Sequence, residues 1–343
     1  MIKQIVCSGT PYNVHRLYPW PASPGRNRPR NHFHAGLFMK NSKQTWPQVQ
    51  DTARQFDRLI REKWPRYYEE LRGIADGAQR DILDIIALNV RTEIAFGQFS
   101  DGCTSLYWRD ERYAFLGQNW DWMQEQKPNL IQLTIIQDSL PTIKMVTEAG
   151  IVGKIGLNDR GVGVCFNAIR VPGVDASRLP VHLGLRLVLE STSTTEAVER
   201  LEEIGLASAG HMLIGDAATA TGLEFTSTTF ARLALDANGR IVHTNHLLRP
   251  HPGVVESQWL ADSPARIDVM EKNAAAAGQL SWQTFSRLFE DETNYPVSIC
   301  RAQEGASTAA TLFNIVMELG EKRAVVRMGR PAEMEERVVL EFS

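Results

Sequence analysis

Cysteine is the residue type in this chain best suited to nucleophilic chemistry, and the sequence contains four: Cys7, Cys103, Cys165 and Cys300. Three of them lie among apolar or strand-like neighbours, where a free cysteine behaves as a small hydrophobic residue. Cys103 differs because it stands in the segment SDGCTS, after an Asp-Gly pair and before two hydroxyl residues. A single cysteine is usually structural, so the surroundings of Cys103 must decide whether it is reactive.

A reactive thiol needs a base, and no histidine lies near Cys103 in the sequence. Cleavage between Gly102 and Cys103 would supply one, because the new α-amino group would stand beside the thiol. The ordinary pKa of an α-amino group, about 7.7–8, suits proton transfer near neutral pH. Glycine leaves the preceding carbonyl sterically open, so the thiol itself could attack it and pass through a thioester. The pattern favours a self-cleaving N-terminal nucleophile.

The elements that must position this nucleophile change type at Cys103. Before it, apolar residues at helical spacing predict one helix over 46–78, with Gly77 as its stop, and a second over 80–97. After it, short β-type runs predict a series of strands. Further helices are predicted at 180–192, at 194–205 with Thr194 or Thr195 as its cap, at 263–277 and at 282–291. Strand runs separated by paired helices predict an α+β fold, with helices packed on antiparallel sheets.

The composition is that of an ordinary globular protein. The 343 residues are enough for two domains or one large layered domain, and 43% are hydrophobic and 22% charged. A net charge of -3 gives no electrostatic reason to expect nucleic acid or an acidic membrane as partner. No secretory signal and no apolar run of membrane-spanning length is seen. Four widely spaced cysteines do not suggest a disulfide framework, so we expect a reducing, intracellular compartment.

Several segments together resemble one known family, the isopenicillin N acyltransferase (acyl-coenzyme A:6-aminopenicillanic acid acyltransferase) family. They occur in the family's order from about Gln48 to Arg337 and include DGCTS, GQNWDW, LEST, GLEF, LDANGRIVHTNH, NYPVSICRA and ATLFNIVMELGEKRAVVRMGRP. The resemblance implies the four-layer αββα sandwich of N-terminal-nucleophile hydrolases, with two antiparallel sheets flanked by helices. It also implies a self-cleaving precursor, whose mostly helical α fragment (1–102) and β fragment (103–343) form one domain as a heterodimer.

The same resemblance implies roles for two residues besides Cys103, and a third follows from the chemistry of one of them. Asn245 in HTNH matches the family's oxyanion asparagine, the type of donor that stabilises a tetrahedral intermediate. Asp121 in NWDW matches a position that shapes the active site and assists processing. A carboxylate between two tryptophans needs a partner, and Arg301 in SICRA is the expected cation. The residues alone leave other interpretations open: a turn residue for Asn245 and a surface salt bridge for Arg301.

Three further residues are candidates for the substrate pocket. Trp120 and Trp122 flank Asp121, and Thr226 in GLEFTST stands where the penicillin enzyme carries a serine. We expect no metal site and no cofactor, with acyl-CoA as a candidate co-substrate.

The histidines offer no convincing alternative chemistry. His246, beside Asn245, is interpreted as structural rather than as a general base. His32 and His34 have His-x-His spacing but no accompanying carboxylate or cysteine cluster, so a metal site is not expected there.

Three departures from the family limit the transfer of its properties, one of them being Thr226 and Thr308 where the penicillin enzyme carries a serine and an arginine. A Pro- and Arg-rich segment over about 14–33 separates GTPY from HAGL and is either an exposed loop or an error in the gene model. The chain ends in VVLEFS, without the Ser-Lys-Leu type of tripeptide that directs the penicillin-making enzymes to peroxisomes. We therefore expect a cytoplasmic protein whose product is not penicillin.

The leading hypothesis is an autoprocessed cysteine acyltransferase or amidohydrolase. It would move an acyl group from acyl-CoA or an N-acyl amide, through a Cys103 thioester, to an amine or to water. Its expected partners are these small molecules and its own two fragments, not nucleic acid or membrane. A second hypothesis is a chain that is never cleaved and acts as a binding protein. A third, a conventional Cys-His hydrolase active in the uncut chain, finds no support in the spacing.

Overall fold

Two β-sheets lie face to face in the computed structural model, which describes residues 1–16, 39, 43–95, 102–257, 260–305 and 307–342. Most of the segment at 14–33, with His32 and His34, lies outside the described residues. The first sheet has the strand order β11-β2-β3-β12-β13-β14, and every pairing in it is antiparallel. Its strands are β2 (Cys103–Arg109), β3 (Ala114–Trp122), β11 (Arg240–His243), β12 (Ala310–Glu318), β13 (Arg323–Met328) and β14 (Glu336–Glu341).

The second sheet contains eight of the described strands, in the order β1-β4-β5-β6-β7-β8-β9-β10. All its neighbours are antiparallel except β1, which pairs in parallel with β4 at one edge. Its strands are β1 (Lys3–Ser8), β4 (Leu130–Ile136), β5 (Ile143–Glu148), β6 (Ile155–Asn158), β7 (Gly163–Ala168), β8 (Gly210–Gly215), β9 (Ala220–Phe225) and β10 (Phe230–Leu233).

Helices cover the outer faces of both sheets. They are α1 (Pro11–Arg16), α2 (Trp46–Lys63), α3 (Pro65–Ala78), α4 (Ile82–Asn89), α5 (Arg91–Ala95), α6 (Val181–Leu189), α7 (Thr194–Ile204), α8 (Ser263–Ala276) and α9 (Trp282–Arg287). Three short 3₁₀ helices lie at Gln124–Asn129, Leu288–Glu290 and Pro331–Glu333. Within the described parts of the chain, no helix is long and apolar enough to cross a bilayer.

The layer order is helix, sheet, sheet, helix, as the family resemblance implies. Helices α6 and α7 pack on strands of the eight-stranded sheet, and α8 packs on β11 of the other. Side chains bridge the two sheets directly: Ser105 on β2 donates to Asn167 Oδ1 on β7 at 2.7 Å. Beside it, the backbone N–H of Phe166 donates to Gln118 Oε1 at 3.0 Å. The inner strand faces are thus held together by hydrogen bonds as well as by apolar packing.

Two predicted helices are each divided in two, and the stop predicted at Gly77 is one residue early. The helix predicted over 46–78 is broken at Trp64, because Pro65 lacks an N–H and restricts the residue before it. It also runs one residue past Gly77 and ends at Ala78, with Gln79 in the left-handed region. The second predicted helix is divided at Val90.

The cap of α7 is Ser193, rather than either of the two threonines that follow it. Its hydroxyl accepts a hydrogen bond from the backbone N–H of Glu196 at 3.2 Å.

Buried ion pairs fix the helices that precede Cys103 to the rest of the molecule. Arg186 on α6 donates to Glu70 on α3 at 2.6 Å and to Glu190 at 2.9 Å, and all three side chains are almost fully buried. Arg91 on α5 pairs with Glu148 on β5. Removing one partner of such a pair costs several kcal/mol, about 3–5, because the other charge stays buried. A cut at residue 102 would leave these contacts in place.

Glu93 on α5 is a buried carboxyl that helps to join the same two parts. Its Oε1 accepts from the backbone N–H of Val181 at 2.8 Å and from the Ser208 hydroxyl at 3.2 Å. Its Oε2 has no hydrogen-bond partner among the described residues. Burial raises the pKa of Glu93 to about 7, because the charged form is poorly solvated there.

Replacing this carboxyl, Glu93→Gln, should make stability less dependent on pH. The folded-state pKa is raised, so between about pH 4.5 and 7 the native state binds more protons than the unfolded state and loses stability as pH rises. Glutamine removes that loss. We expect the variant to gain about 1–3 kcal/mol over wild type at pH 8 and little at pH 5, measured by denaturant unfolding. Glu199→Gln, at an exposed position, is the control; a pH-independent difference for Glu93→Gln would contradict the account.

Candidate active site

The peptide bond between Gly102 and Cys103 is held on both sides. The Gly102 carbonyl accepts from the backbone N–H of Asp121 on β3 at 2.9 Å. The Cys103 N–H donates to Asn245 Oδ1, beyond the end of β11, at 2.8 Å. Because β2 lies between β11 and β3, its first peptide bond meets a partner from each neighbour.

The Cys103 thiol points into the space between the sheets. Cys103 pairs directly with Trp120 on β3, and directly opposed residues of antiparallel strands share a face. Trp120 stacks with Trp122 and packs against Phe313 in the core. Cys165 on β7 lies near Cys103 in the facing sheet. Burial raises the pKa of the Cys165 thiol well above its usual range, and the nearby Cys103 thiol adds a smaller increase.

Glycine is required at position 102 by close packing. A Cβ built there would lie 2.8 Å from Asp121 Oδ2, too close for a carbon atom, and 3.0 Å from Arg301 Nε, so the buried ion pair would have to shift. The absent side chain lets the carboxyl group and the guanidinium approach the backbone at the candidate cleavage site. The Gly-Cys pair is therefore fitted to its surroundings as well as to its chemistry.

Asp121 and Arg301, which the sequence predicts as a pair, do lie together. Arg301 Nε is 3.3 Å from Asp121 Oδ2, and both side chains are buried, so the surface salt bridge does not describe Arg301. The hydroxyl of Thr311, which sequence reasoning missed, donates to Asp121 Oδ1 at 2.7 Å and accepts from the backbone N–H of Arg301 at 3.1 Å. Burial raises the pKa of Asp121 to about 6, although the cation of Arg301 opposes the shift.

The side chain of Asn245 reaches Cys103 rather than capping its own turn. Its Oδ1 receives two donors, the Cys103 N–H and Arg266 Nη2 at 2.9 Å, which identifies that atom as the oxygen. The amide nitrogen Nδ2 donates one hydrogen to the Ala168 carbonyl at 3.0 Å. An amide nitrogen carries a second hydrogen, so Nδ2 keeps a donor for another group.

A buried arginine and its aspartate complete the surroundings of Cys103, and sequence reasoning missed both. Arg266 on α8 donates to the Cys103 carbonyl at 2.6 Å, to the Thr104 hydroxyl at 3.0 Å and to Asp262 at 2.8 Å. Asp262 also pairs with Arg301. One signal was available: Arg266 shares the buried face of α8 with apolar residues, where an arginine must have a partner.

The loop that carries Asn245 is fixed by a second buried carboxylate, Glu224 on β9. Glu224 accepts from the backbone N–H groups of Leu248 at 2.6 Å and Arg249 at 3.0 Å, and from His243 Nε2 at 2.9 Å. His246 contacts the Ser263 hydroxyl at 2.8 Å, which agrees with a structural role.

Thr226 is less closely connected to the site. Its hydroxyl accepts from the backbone N–H groups of Thr228 and Thr229 at 3.1 and 3.0 Å, inside the turn between β9 and β10. No hydrogen bond in the described part of the chain joins it to Cys103. Nor do the described residues contain a group of three or more His, Cys, Asp or Glu side chains arranged to hold a metal ion.

The fold is that of N-terminal-nucleophile hydrolases. Crystal structures of two variants of the conjugated bile acid hydrolase of Clostridium perfringens each superpose with a TM-score of 0.50. Each match covers 70% of this chain and 92% of the other, at 12% sequence identity. At that identity the likeness shows the fold alone.

Sequence comparison defines the family. The profile of the acyl-coenzyme A:6-aminopenicillanic acid acyl-transferase family matches residues 108–333. The acyl-coenzyme A:6-aminopenicillanic-acid-acyltransferase 40 kDa form of Emericella nidulans is 43% identical over 344 residues, covering 99% of this chain and 96% of the relative. The chain belongs to this acyltransferase family, as its motifs suggest.

The Thr311 hydroxyl can be tested separately from the charged groups. Thr311→Val leaves Asp121 Oδ1 without its hydroxyl donor and the backbone N–H of Arg301 without its acceptor, both in buried surroundings. We expect a loss of about 1–3 kcal/mol in the free energy of unfolding, whereas Thr311→Ser, which keeps the hydroxyl, should lose less. Denaturant unfolding of the two variants measures the difference. Equal losses would mean that the hydroxyl does not support the ion pair.

Proposed function

We propose that the chain is a self-cleaving cysteine acyltransferase that carries the acyl group on Cys103. The observation that carries this proposal is the pair of hydrogen bonds that hold the Gly102–Cys103 peptide bond, here called the double clamp. The Gly102 carbonyl accepts from the backbone N–H of Asp121, and the Cys103 N–H donates to Asn245 Oδ1. The bond to the Gly102 carbonyl continues the β2–β3 pairing, whereas the nitrogen of Cys103 is held by a side chain instead of a strand backbone. The family membership of the chain supports the same reaction class.

Self-cleavage would begin with attack of the Cys103 sulfur on the Gly102 carbonyl carbon. Negative charge then develops on the Gly102 oxygen, where the Asp121 N–H stands as a preorganised donor at 2.9 Å. The carbon–nitrogen bond breaks, the Cys103 nitrogen takes the thiol proton, and Gly102 becomes a thioester on sulfur. Water hydrolyses this ester and leaves a carboxylate on Gly102 and a free amine and thiol on Cys103.

In turnover the freed α-amino group would act as the base. It takes the proton of the Cys103 thiol as the sulfur attacks an acyl thioester, and it returns a proton to the leaving thiolate. A second attack, by an amine, releases the product amide and restores the thiol. Asn245 has a role in both steps: Oδ1 holds the nitrogen of Cys103, and the spare hydrogen on Nδ2 is the candidate donor to the acyl oxyanion.

The substrates follow from the chemistry and from the relative. A thioester such as acyl-CoA is a suitable acyl donor, and the Emericella relative is named for transfer from acyl-coenzyme A to 6-aminopenicillanic acid. An amine with a neutral nitrogen is the matching acceptor for this chain. If an N-acyl amide rather than acyl-CoA acylates Cys103, the amine leaves, and hydrolysis of the Cys103 thioester by water makes the same site an amidohydrolase. Trp120 and Trp122, near the nucleophile, remain candidates for the acyl pocket.

The cleaved enzyme would be a heterodimer of residues 1–102 and 103–343. The buried pairs between Arg186 and Glu70 and between Arg91 and Glu148 join the two parts. In addition, β1 of the first part is hydrogen-bonded to β4 of the second. These contacts do not involve the Gly102–Cys103 bond, so they support continued association after cleavage.

Acylation of Cys103 is the experiment that tests the transfer step. Wild-type protein is mixed with an acyl-CoA in the absence of amine and analysed by denaturing mass spectrometry. We expect one acyl mass on the fragment that begins at Cys103, and its removal when an amine is added. Cys103→Ala should stay unmodified, whereas Cys165→Ala, which removes the thiol on the facing strand, should still be acylated. Turnover without any acyl group on Cys103 would overturn the proposal.

A further inference from the structure

Arg266 occupies a central position among the residues around Cys103. It lies on the first turn of α8, three residues after Ser263, whose hydroxyl accepts from the Asn245 backbone N–H at 2.8 Å. Residues three apart share a helix face, so α8 presents both side chains to the start of β2. Ser263 thus holds the backbone of Asn245, while Arg266 contacts its side chain.

The guanidinium of Arg266 connects the start of β2 with the side chain of Asn245. Nη1 donates to the Cys103 carbonyl and the Thr104 hydroxyl, and Nη2 donates to Asn245 Oδ1. Nε is held by Asp262, so the planar group has a fixed orientation. Arg266 is 2% exposed.

We propose that Arg266 is a positioning residue for acyl transfer, one that fixes the Asn245 carboxamide with Oδ1 toward the nitrogen of Cys103 and Nδ2 toward the reacting acyl group. The inference rests on the proposed function, since it concerns the nucleophile after it is freed. Arg266 itself contacts no reacting atom.

The need for such a residue comes from the change at the Cys103 nitrogen. In the intact chain that nitrogen is an amide and can only donate, which by itself favours the oxygen of Asn245. After cleavage a neutral α-amine can also accept, so it no longer distinguishes Oδ1 from Nδ2. A guanidinium is a donor at every pH, and it continues to select the oxygen. The Ala168 carbonyl, an acceptor, selects the nitrogen on the other side.

Arg266 also places a positive charge beside the base. A nearby cation disfavours the ammonium form and so lowers the pKa of the α-amino group. Among the described residues, the other charged or titratable groups around Cys103 include Asp121 on β3, Asp262 before α8, Arg301 before β12, His243 and His246 at the end of β11, and Cys165 on β7. Lys154 lies over the Trp120 ring, 3.9 Å from its centre, and is paired with Glu148. Asp121 and Asp262 partly neutralise the two arginines, so the effect of Arg266 should be sensitive to Asp262.

The test compares Arg266→Gln with Arg266→Lys, which retains the charge but not the planar fork. Each purified protein is first checked for cleavage, and kcat and KM for an acyl-CoA are then measured from about pH 6 to about pH 9, which brackets the ordinary α-amino pKa. For Arg266→Gln we expect kcat to fall by about 100-fold with a smaller change in KM. The acid limb of the pH profile, where kcat/KM falls as the α-amino group becomes protonated, should move up by about one pH unit, because the cation that lowers the pKa of this group is gone. Arg266→Lys should keep the wild-type acid limb and recover part of kcat.

A purely structural arginine would behave differently. If Arg266 were purely structural, both substitutions would lower thermal stability, but Arg266→Gln would keep the wild-type kcat and the wild-type acid limb of the pH profile. That result would overturn the inference. A folded Arg266→Gln that stays uncut while Arg266→Lys is cleaved would support positioning of Cys103 in the intact chain.

A second variant covers the case in which Arg266→Gln does not fold. Asp262→Asn leaves the cations less neutralised, so the acid limb should move to lower pH, opposite to the shift for Arg266→Gln. An unshifted limb in Asp262→Asn would then count against the inference. Wild-type protein that is not cleaved, or that carries no acyl group on Cys103, refutes the proposed function instead, before any variant is compared.

Discussion

The double clamp on the Gly102–Cys103 peptide is the interaction on which the rest of the site depends. It requires β2 to start at Cys103 between two neighbours, with β3 offering a backbone N–H and the end of β11 offering a carboxamide oxygen. A shift of one residue in the β2–β3 register would turn Cys103 away from the space between the sheets. The long strand β3, buried at every position, holds that register.

Charge burial is the second constraint, and it explains why so much structure surrounds one thiol. Asp121, Arg301, Asp262 and Arg266 form a connected series of ion pairs between the clamp and α8. Buried charges are tolerated only when each has a partner, so removing one member leaves the others uncompensated. The series thereby ties the start of α8, the segment before β12 and the start of β2 into one unit. The buried carboxylate of Glu224 fixes the loop after β11 by accepting from two of its backbone N–H groups.

Much of this arrangement could be predicted from the sequence, because the signals are local or belong to a family pattern. The position of Cys103 at a strand start, the strands after it and the pairing of Asp121 with Arg301 all follow from short segments. The helix breaks at Trp64 and Val90 were missed because apolar spacing continues across them. Arg266, Thr311 and Glu224 were missed for another reason: their partners are distant in the chain, as with Arg266 and Cys103, 163 residues apart. Only the packing of α8, β12 and β9 against the site brings them together.

Self-cleavage before Cys103 can be observed in a denaturing mass spectrum of the purified wild-type protein, recorded with Cys103→Ala beside it. We expect two fragments that meet at Gly102 and Cys103 in the wild type, which elute together under native conditions, and a single intact chain in the variant. A single intact mass for a folded wild-type protein would contradict the account and favour a binding role. Cleavage at the same bond in Cys103→Ala would show that another group performs the cut.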